Sequence, residues 1–275
     1  MRTGICKLCR RTAELQKSHL IPRAIFQKVK GSEKENLAYI EKNVGATYPP
    51  GGGHIKAELL CHECEELFSK SEKFVANDCY AFNGRFPLFE KAKLIPISDQ
   101  YRPLTLPINK TSRFIFKDDW NNVINGNAFL YFALSIFWRT SIFYWPRIGP
   151  CYYDALGRKY SEQVRMFLLT QNHQYLSNIY VCAVIQTVDP LAVISLPTYT
   201  KMNMFCWSHS FFIPGIMFIM YVGKQLPDYI ERLKSIDDFS FLEKDITQSK
   251  PYTNLCETIL TTPAKGNLIK NWISS

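Results

Sequence analysis

Apolar and polar positions alternate differently in three parts of the chain. Around 62–81, "HECEELFSKSEKFVANDCYA" sets Leu67, Phe68, Phe74 and Val75 at helical spacings between charges. A helix is therefore predicted from the second cysteine pair to near "FNGRFP". Before it, 31–60 carries turn signals, "GSEKEN" and "YPPGGG", and reads as a long loop holding short strands at "LAYI" and "HIKAELL". Residues 86–125 mix prolines with short apolar runs such as "LTLPI" and "SRFIF" and read as a linker or covering segment. Residues 126–145 are strongly apolar, which predicts a buried helix stopped by Pro146. "GRKYSEQVRMFLLTQ" (157–171) predicts a shorter amphipathic helix. Four apolar runs follow up to residue 223, separated by "DP", "TKMN" and "IPG". Their short connections favour an antiparallel sheet over βαβ units. The polar tail from 224 is expected to pack as helix and loop.

Two stretches approach the length of a membrane span. "FLYFALSIFWRTSIFYW" (129–145) contains Arg139, and "MFCWSHSFFIPGIMFIMYVG" (204–223) is interrupted by "SHS" and "IPG". A charge inside a span is costly, and a span needs about 20 apolar residues. The first is expected to be a core helix and the second a hairpin of two core strands, with no membrane partner. A buried Arg139 needs an acid. An acid of the N-terminal helix would dock two domains through it; Asp118, Asp119 and Glu162 are equal alternatives. The expected class is α+β. A small four-cysteine module occupies 1–85, a linker or covering segment 86–125, and a larger α+β domain with an antiparallel sheet 126–275.

The chain has 275 residues, 47% of them apolar and 14% aromatic, enough for a large core and unlike a disordered chain. The formal net charge of +9 favours a polyanionic partner, nucleic acid first. The nine cysteines are odd in number, and "MRTGICKLC" has no apolar signal-peptide core. Reduced thiols and a metal site in a cytoplasmic protein fit better than disulfides.

Cys6 and Cys9 form one C-x2-C pair, Cys61 and Cys64 a second. Each pair can turn both sulfurs toward one ion, and four thiolates satisfy tetrahedral Zn2+. The intervening 10–60 exceeds the usual zinc-ribbon spacing, so it is expected to carry content of its own. Cys79, Cys151, Cys182, Cys206 and Cys256 lack partners at ligand spacing and are expected in the core, and His62 is expected on the surface. A closed four-thiolate site performs no chemistry, so any catalytic group must lie beside it.

The order of elements, "CKLC", then "SHLIP", then "CHEC" opening a helix with Glu65 next to the last cysteine, resembles the zinc-bound HNH nucleases. This is the ββα-metal or His-Me finger superfamily. The resemblance covers roughly the first 80 residues. It implies a ββα, treble-clef-like module, with His19 as the general base and Pro22 as the proline that follows it. Ser18 stands at the position of the first metal ligand, often Asp, Glu or His in the family. Glu65 stands where the family keeps an Asn or His. The central Asn of the second strand has no counterpart; "HIKAELL" offers His54 and Glu58. More narrowly, "HLIPRAIF" with "ELLCHECEELFSKSEKFVANDC" is similar to bacterial HNH-like proteins that carry a later Glu and Cys on the same helix, here Glu72 and Cys79.

The implied activity is hydrolysis of phosphodiester bonds in DNA, less so RNA, and the implied setting is defence against phage or plasmids. Histidine supplies a base near neutral pH, and carboxylate-held Mg2+ or Mn2+ would supply a cation. Glu65 and Glu72 share a helix face but stand two turns apart, about 11 Å, which makes Glu65 the better ligand. Arg10, Arg11, Lys17, Arg23, Lys28 and Lys30 crowd the His19 segment and would contact phosphates. The alternative is a catalytically inactive, zinc-stabilised protein that binds nucleic acid or a partner protein, with His19 structural. The C-terminal domain would bind substrate, a partner protein or a second copy. The chain has no phosphate-binding glycine loop, "GxSxG" or "HExxH". His209, within an apolar run, is expected to be a satisfied core histidine.

Overall fold

The computed structural model describes residues 2–29, 39–41, 46–48, 55–81, 83–96, 112–120, 122–145 and 152–261. Strands β1 (Arg2–Ile5) and β2 (Thr12–His19) form an antiparallel hairpin, followed by α1 (Arg23–Val29). Short β3 (Tyr39–Glu41) and β4 (Ala46–Tyr48) pair with each other. Strand β5 (Lys56–Cys61) adds to β2, giving the sheet β1-β2-β5, and runs straight into α2 (His62–Asp78). Glu63 and Glu65 lie in the first turn of α2, where the helix dipole favours acids.

Helix α3 (Pro87–Lys93), β6 (Arg113–Ile115) and α4 (Lys117–Trp120) come from the segment expected to be linker or cover. Then follow α5 (Gly126–Ile142) and α6 (Gly157–Thr170). Strands β7 (Ile179–Gln186), β8 (Ile194–Ser195), β9 (Thr198–Lys201), β10 (Cys206–Ile213) and β11 (Ile216–Gly223) make up the strand-rich block. The chain continues through α7 (Asp228–Lys234), β12 (Phe239–Lys244) and α8 (Lys250–Thr261).

The main sheet has six strands in the order β6-β12-β7-β11-β10-β9. The protein is thus α+β with antiparallel and mixed sheets. The stretch 204–223 is the β10–β11 hairpin, and among the described residues no helix is long and apolar enough to cross a membrane. One strand was hidden in the polar tail: β12 lies parallel to β7 and antiparallel to β6. Its hydrogen bonds come from neighbours far away in sequence, so six residues suffice without a strong local pattern.

Every residue of β7 is buried, and its alternation feeds two cores. Ile179, Val181, Ala183 and Ile185 face the side of α5. Tyr180, Cys182 and Val184 face the side closed by Ile230 and Leu233 of α7 and by Tyr252 and Leu255 of α8. Helix α5 lies between the sheet and α2, which explains why it is apolar all round. Phe68 of α2 meets Tyr131 and Trp138 of α5 edge-on, with ring centres 5.7 and 6.3 Å apart. One continuous buried cluster runs from Cys6 through α2 and α5 to Phe241.

Two further contacts join the N-terminal strands and α2 to the rest. Arg165 of α6 donates to the Leu8 carbonyl, and Glu162 accepts from Arg10 and Arg165. At the tip of the β10–β11 hairpin, the Tyr80 amide donates to the Pro214 carbonyl at 3.0 Å. Gly215 there has φ +74°, and a Cβ on it would stand 2.7 Å from the Phe86 ring and 2.8 Å from Tyr80 Cβ. Gly84 has φ +83° with nothing within 4 Å of such a Cβ. Gly84→Ala is therefore expected to cost about 1 kcal/mol of backbone strain. Gly215→Ala is expected to cost about 1–3 kcal/mol more from overpacking. Urea unfolding of the two variants checks the order; equal losses would show that the hairpin tip is not packed tightly there.

Candidate active site and metal centre

The His19 strand is shaped by an irregularity. Strand β2 pairs Leu15 with Cys61 and Gln16 with Leu60, then Lys17 with Glu58, so Leu59 has no opposite residue. The Leu59 carbonyl instead accepts from the Lys7 amide at 2.9 Å. Such a bulge re-aims the side chains beyond it. Leu15 is buried before the slip and Ser18 after it, so the inward phase shifts by one. Ser18 thereby points to the interior and His19, the last strand residue, is left half-buried. The Leu20 amide holds the strand end by donating to the Ile55 carbonyl at 3.0 Å.

The Cys6, Cys9, Cys61 and Cys64 sulfurs all lie within 4.8 Å of one another. The first pair is turned by Arg10 at φ 62°, closed by Cys6 N–H to Arg11 carbonyl and Arg10 N–H to Cys6 carbonyl, both 2.9 Å. The second pair sits at the β5–α2 junction. Burial works to raise the Cys9 pKa, but hydrogen bonds from the Arg11 side chain and backbone outweigh it and bring it to about 6. Burial pushes Cys61 up to about 11 and Cys64 up as well. Four convergent thiols are compatible with a structural metal site. Among the described residues, no other group of three or more His, Cys, Asp or Glu converges in this way.

Beside this cluster lies a solvent-open cleft of about 570 Å3. His19, Pro22, Arg23 and Lys28 form one side, from the end of β2 into α1. Helix α2 forms the other with Glu65, Ser69, Glu72 and Lys73, spaced to share one helix face. Arg139 of α5 closes the inner end. The Ser18 hydroxyl donates to Glu65 Oε1, and the His19 Nε2 atom is shielded from solvent.

Arg139 is 1% exposed, so every donor matters. Nη2 donates to Glu72 Oε1 at 2.8 Å and Nη1 to the His19 carbonyl at 2.8 Å. Its own helix supplies the Ser135 carbonyl to Nε at 3.4 Å and the Ser135 hydroxyl to Nη2 at 3.3 Å. The guanidinium also lies 5.0 Å from the centre of the Phe68 ring. Burial pushes the Glu72 carboxyl above its ordinary pKa, and the charge of Arg139 opposes that rise.

His19 and Glu65 thus meet on one cleft, Ser18 bonds Glu65, and Glu72 is held by Arg139. Of the basic residues singled out above, Arg23 and Lys28 line the cleft. Arg10 pairs with Glu162. Arg11 contacts Cys9 Sγ at 3.5 Å and Glu63 at 3.9 Å. Lys17 is exposed on β2; Lys30, His54 and Cys151 lie outside the described residues. His62 is exposed, 3.3 Å from Glu66. Cys79, Cys182 and Cys206 are buried and Cys256 half-buried. His209 is buried with Nδ1 2.6 Å from the Tyr152 hydroxyl, and burial lowers its pKa to about 3, which keeps it neutral. Ser69, Lys73 and Asn77 were not singled out from the sequence, although the 3.6-residue period from Glu65 leads to them. The apolar setting of Arg139 in the sequence calls for an acid, but nothing local ties it to His19. The chain matches no family model, and no curated protein or solved structure shows significant similarity to it.

Removing one partner of a buried ion pair strands the other. Arg139→Met is expected to cost about 3 kcal/mol by leaving Glu72, whose side chain is only 16% exposed, without its counter-charge. The double variant Arg139→Met/Glu72→Met is expected to be more stable than Arg139→Met alone. Chemical denaturation of the three proteins checks this; a double variant less stable than the single one would show that Glu72 does not depend on Arg139.

Proposed function

We propose that this protein is a metal-dependent endonuclease of the HNH, or His-Me finger, type, hydrolysing phosphodiester bonds in nucleic acid, with DNA the favoured substrate. The observation that carries this reading is that His19 and Glu65 share one solvent-open cleft bordered by Arg23, Lys28 and Lys73, next to the four-cysteine cluster. On this reading the cluster holds Zn2+ and clamps β1, β2, β5 and α2 into a treble-clef-like ββα unit.

In the proposed reaction His19 removes a proton from water as its oxygen attacks phosphorus. The bond from phosphorus to the leaving sugar oxygen breaks, and that oxygen takes a proton from solvent. A hard divalent ion such as Mg2+ or Mn2+ would supply positive charge opposite the charge developing on phosphate. Glu65 would hold it, kept in place by the Ser18 hydroxyl. The donors here are oxygens, which suit a hard ion, and Mg2+ commonly keeps several waters beside one or two carboxylates. Glu72, engaged by Arg139, would serve the site by orienting rather than by ligating. Arg23, Lys28 and Lys73 would contact backbone phosphates and make binding salt-dependent.

The second reading is a zinc-stabilised protein that binds nucleic acid or a partner protein without cleaving it. The shielding of His19 Nε2 favours it, as does the lack of a second convergent metal-ligand group among the described residues.

Wild-type protein is expected to cleave plasmid or single-stranded DNA with Mg2+ or Mn2+, and His19→Ala to be slower by about 10²–10⁴-fold. Gel assays of both proteins check this; intact substrate with wild type would remove the nuclease reading for those nucleic acids. Elemental analysis is expected to find one zinc per chain, and chelation to unfold the N-terminal strands and α2. A folded protein free of zinc would refute the zinc assignment.

A further inference from the structure

We infer that Arg139 is a positioning residue of the cleft: by gripping the backbone of His19 it fixes the imidazole for proton transfer, so the sheet-bearing part of the chain belongs to the active centre. This inference rests on the nuclease reading above. The reason lies in where the guanidinium spends its donors. Docking α5 onto α2 would need only the Glu72 pair. Arg139 gives a separate nitrogen to the carbonyl of the very residue that carries the base, 2.8 Å away.

His19 ends its strand, and the chain beyond it turns through Leu20 and Pro22 into α1. A terminal strand residue has support on one side only, so its carbonyl is the natural place for a second restraint. The grip is itself rigid. Ser135, one turn earlier on α5, accepts from Arg139 through both its carbonyl and its hydroxyl. Phe68 packs against the guanidinium, and Glu72 supplies the counter-charge. The planar fork of arginine can reach Glu72, His19 and Ser135 together; the point charge of a lysine cannot. Fixing a base within reach of its proton matters because small misplacements in a site can cost about a hundredfold in rate.

The test uses the full chain. In steady-state cleavage with Mn2+, Arg139→Lys is expected to lower kcat about a hundredfold with KM nearly unchanged. Millimolar guanidinium is expected to recover part of the kcat of Arg139→Ala, where urea at the same concentration does not. Unchanged kcat in Arg139→Lys, or no rescue of a folded Arg139→Ala, would overturn the inference. If Arg139→Ala does not fold, Arg139→Lys carries the kinetic comparison.

A readout independent of cleavage is the His19 imidazole NMR signal, assigned by its loss in His19→Gln. It is expected to move in Arg139→Lys while the exposed His62 signal stays in place. Coincident His19 signals in wild type and Arg139→Lys would overturn the positioning role whether or not the protein cleaves nucleic acid. A wild type that cleaves nothing would remove the nuclease reading alone, and the NMR comparison would then decide whether Arg139 sets the His19 ring.

Discussion

A guanidinium in the middle of an apolar helix is the constraint on which the rest of this structure turns. Helix α5 is buried on all sides, and an unpaired charge there would not be tolerated. Arg139 is tolerated because α2 brings Glu72 and β2 brings the His19 carbonyl. That requirement fixes the position of α2 against α5, and with it the cleft between α1 and α2. The wall of the cleft and the satisfaction of the core are therefore one arrangement.

The rest of the joint follows the same logic with smaller stakes. Arg165 closes on the Leu8 carbonyl inside the first cysteine loop, while Glu162 answers both Arg165 and Arg10. The hydrogen bond from Arg165 holds the Glu162 carboxyl below its ordinary pKa against the opposing effect of burial, and the charges of Arg165 and Arg10 add to it. The hairpin tip at Pro214–Gly215 meets Tyr80 where α2 ends. The cysteine cluster fixes α2 at its start, Arg139 grips it midway, and the hairpin meets it at its exit. A helix held at three points leaves little freedom to the residues along its cleft face.

Much of this was legible in the sequence because it is local. The two C-x2-C pairs, the amphipathic period of α2, the all-apolar α5 and the "IPG" turn of the β10–β11 hairpin each announce themselves within one window. Burial of Arg139 demands an acid, but the sequence leaves the N-terminal helix, Asp118, Asp119 and Glu162 as equal candidates; the packing of α2 on α5 selects Glu72. What stayed hidden depends on contacts between distant segments. Strand β12 is a strand because β7 and β6 flank it. The slip at Leu59 exists because Lys7 takes its carbonyl. Arg139 reaches His19 only because α2 packs against both α5 and β2. Ser69 and Lys73 lie on the helix face that Glu65 and Glu72 define, but an exposed Ser or Lys between two acids carries no signal of its own until α1 closes the other side of the cleft.

The continuous core from Cys6 to Phe241 has a consequence for inheritance. The first 80 residues are not a cassette that recombination could move into another chain, since transfer would bare Phe68, strand Glu72 and leave the Leu8 carbonyl unmet. Change at either member of a contact across this joint must be matched at the other. Lineages of this chain should therefore vary Arg139 and Glu72 as a pair, and Arg165 together with the backbone turn of the first cysteine loop.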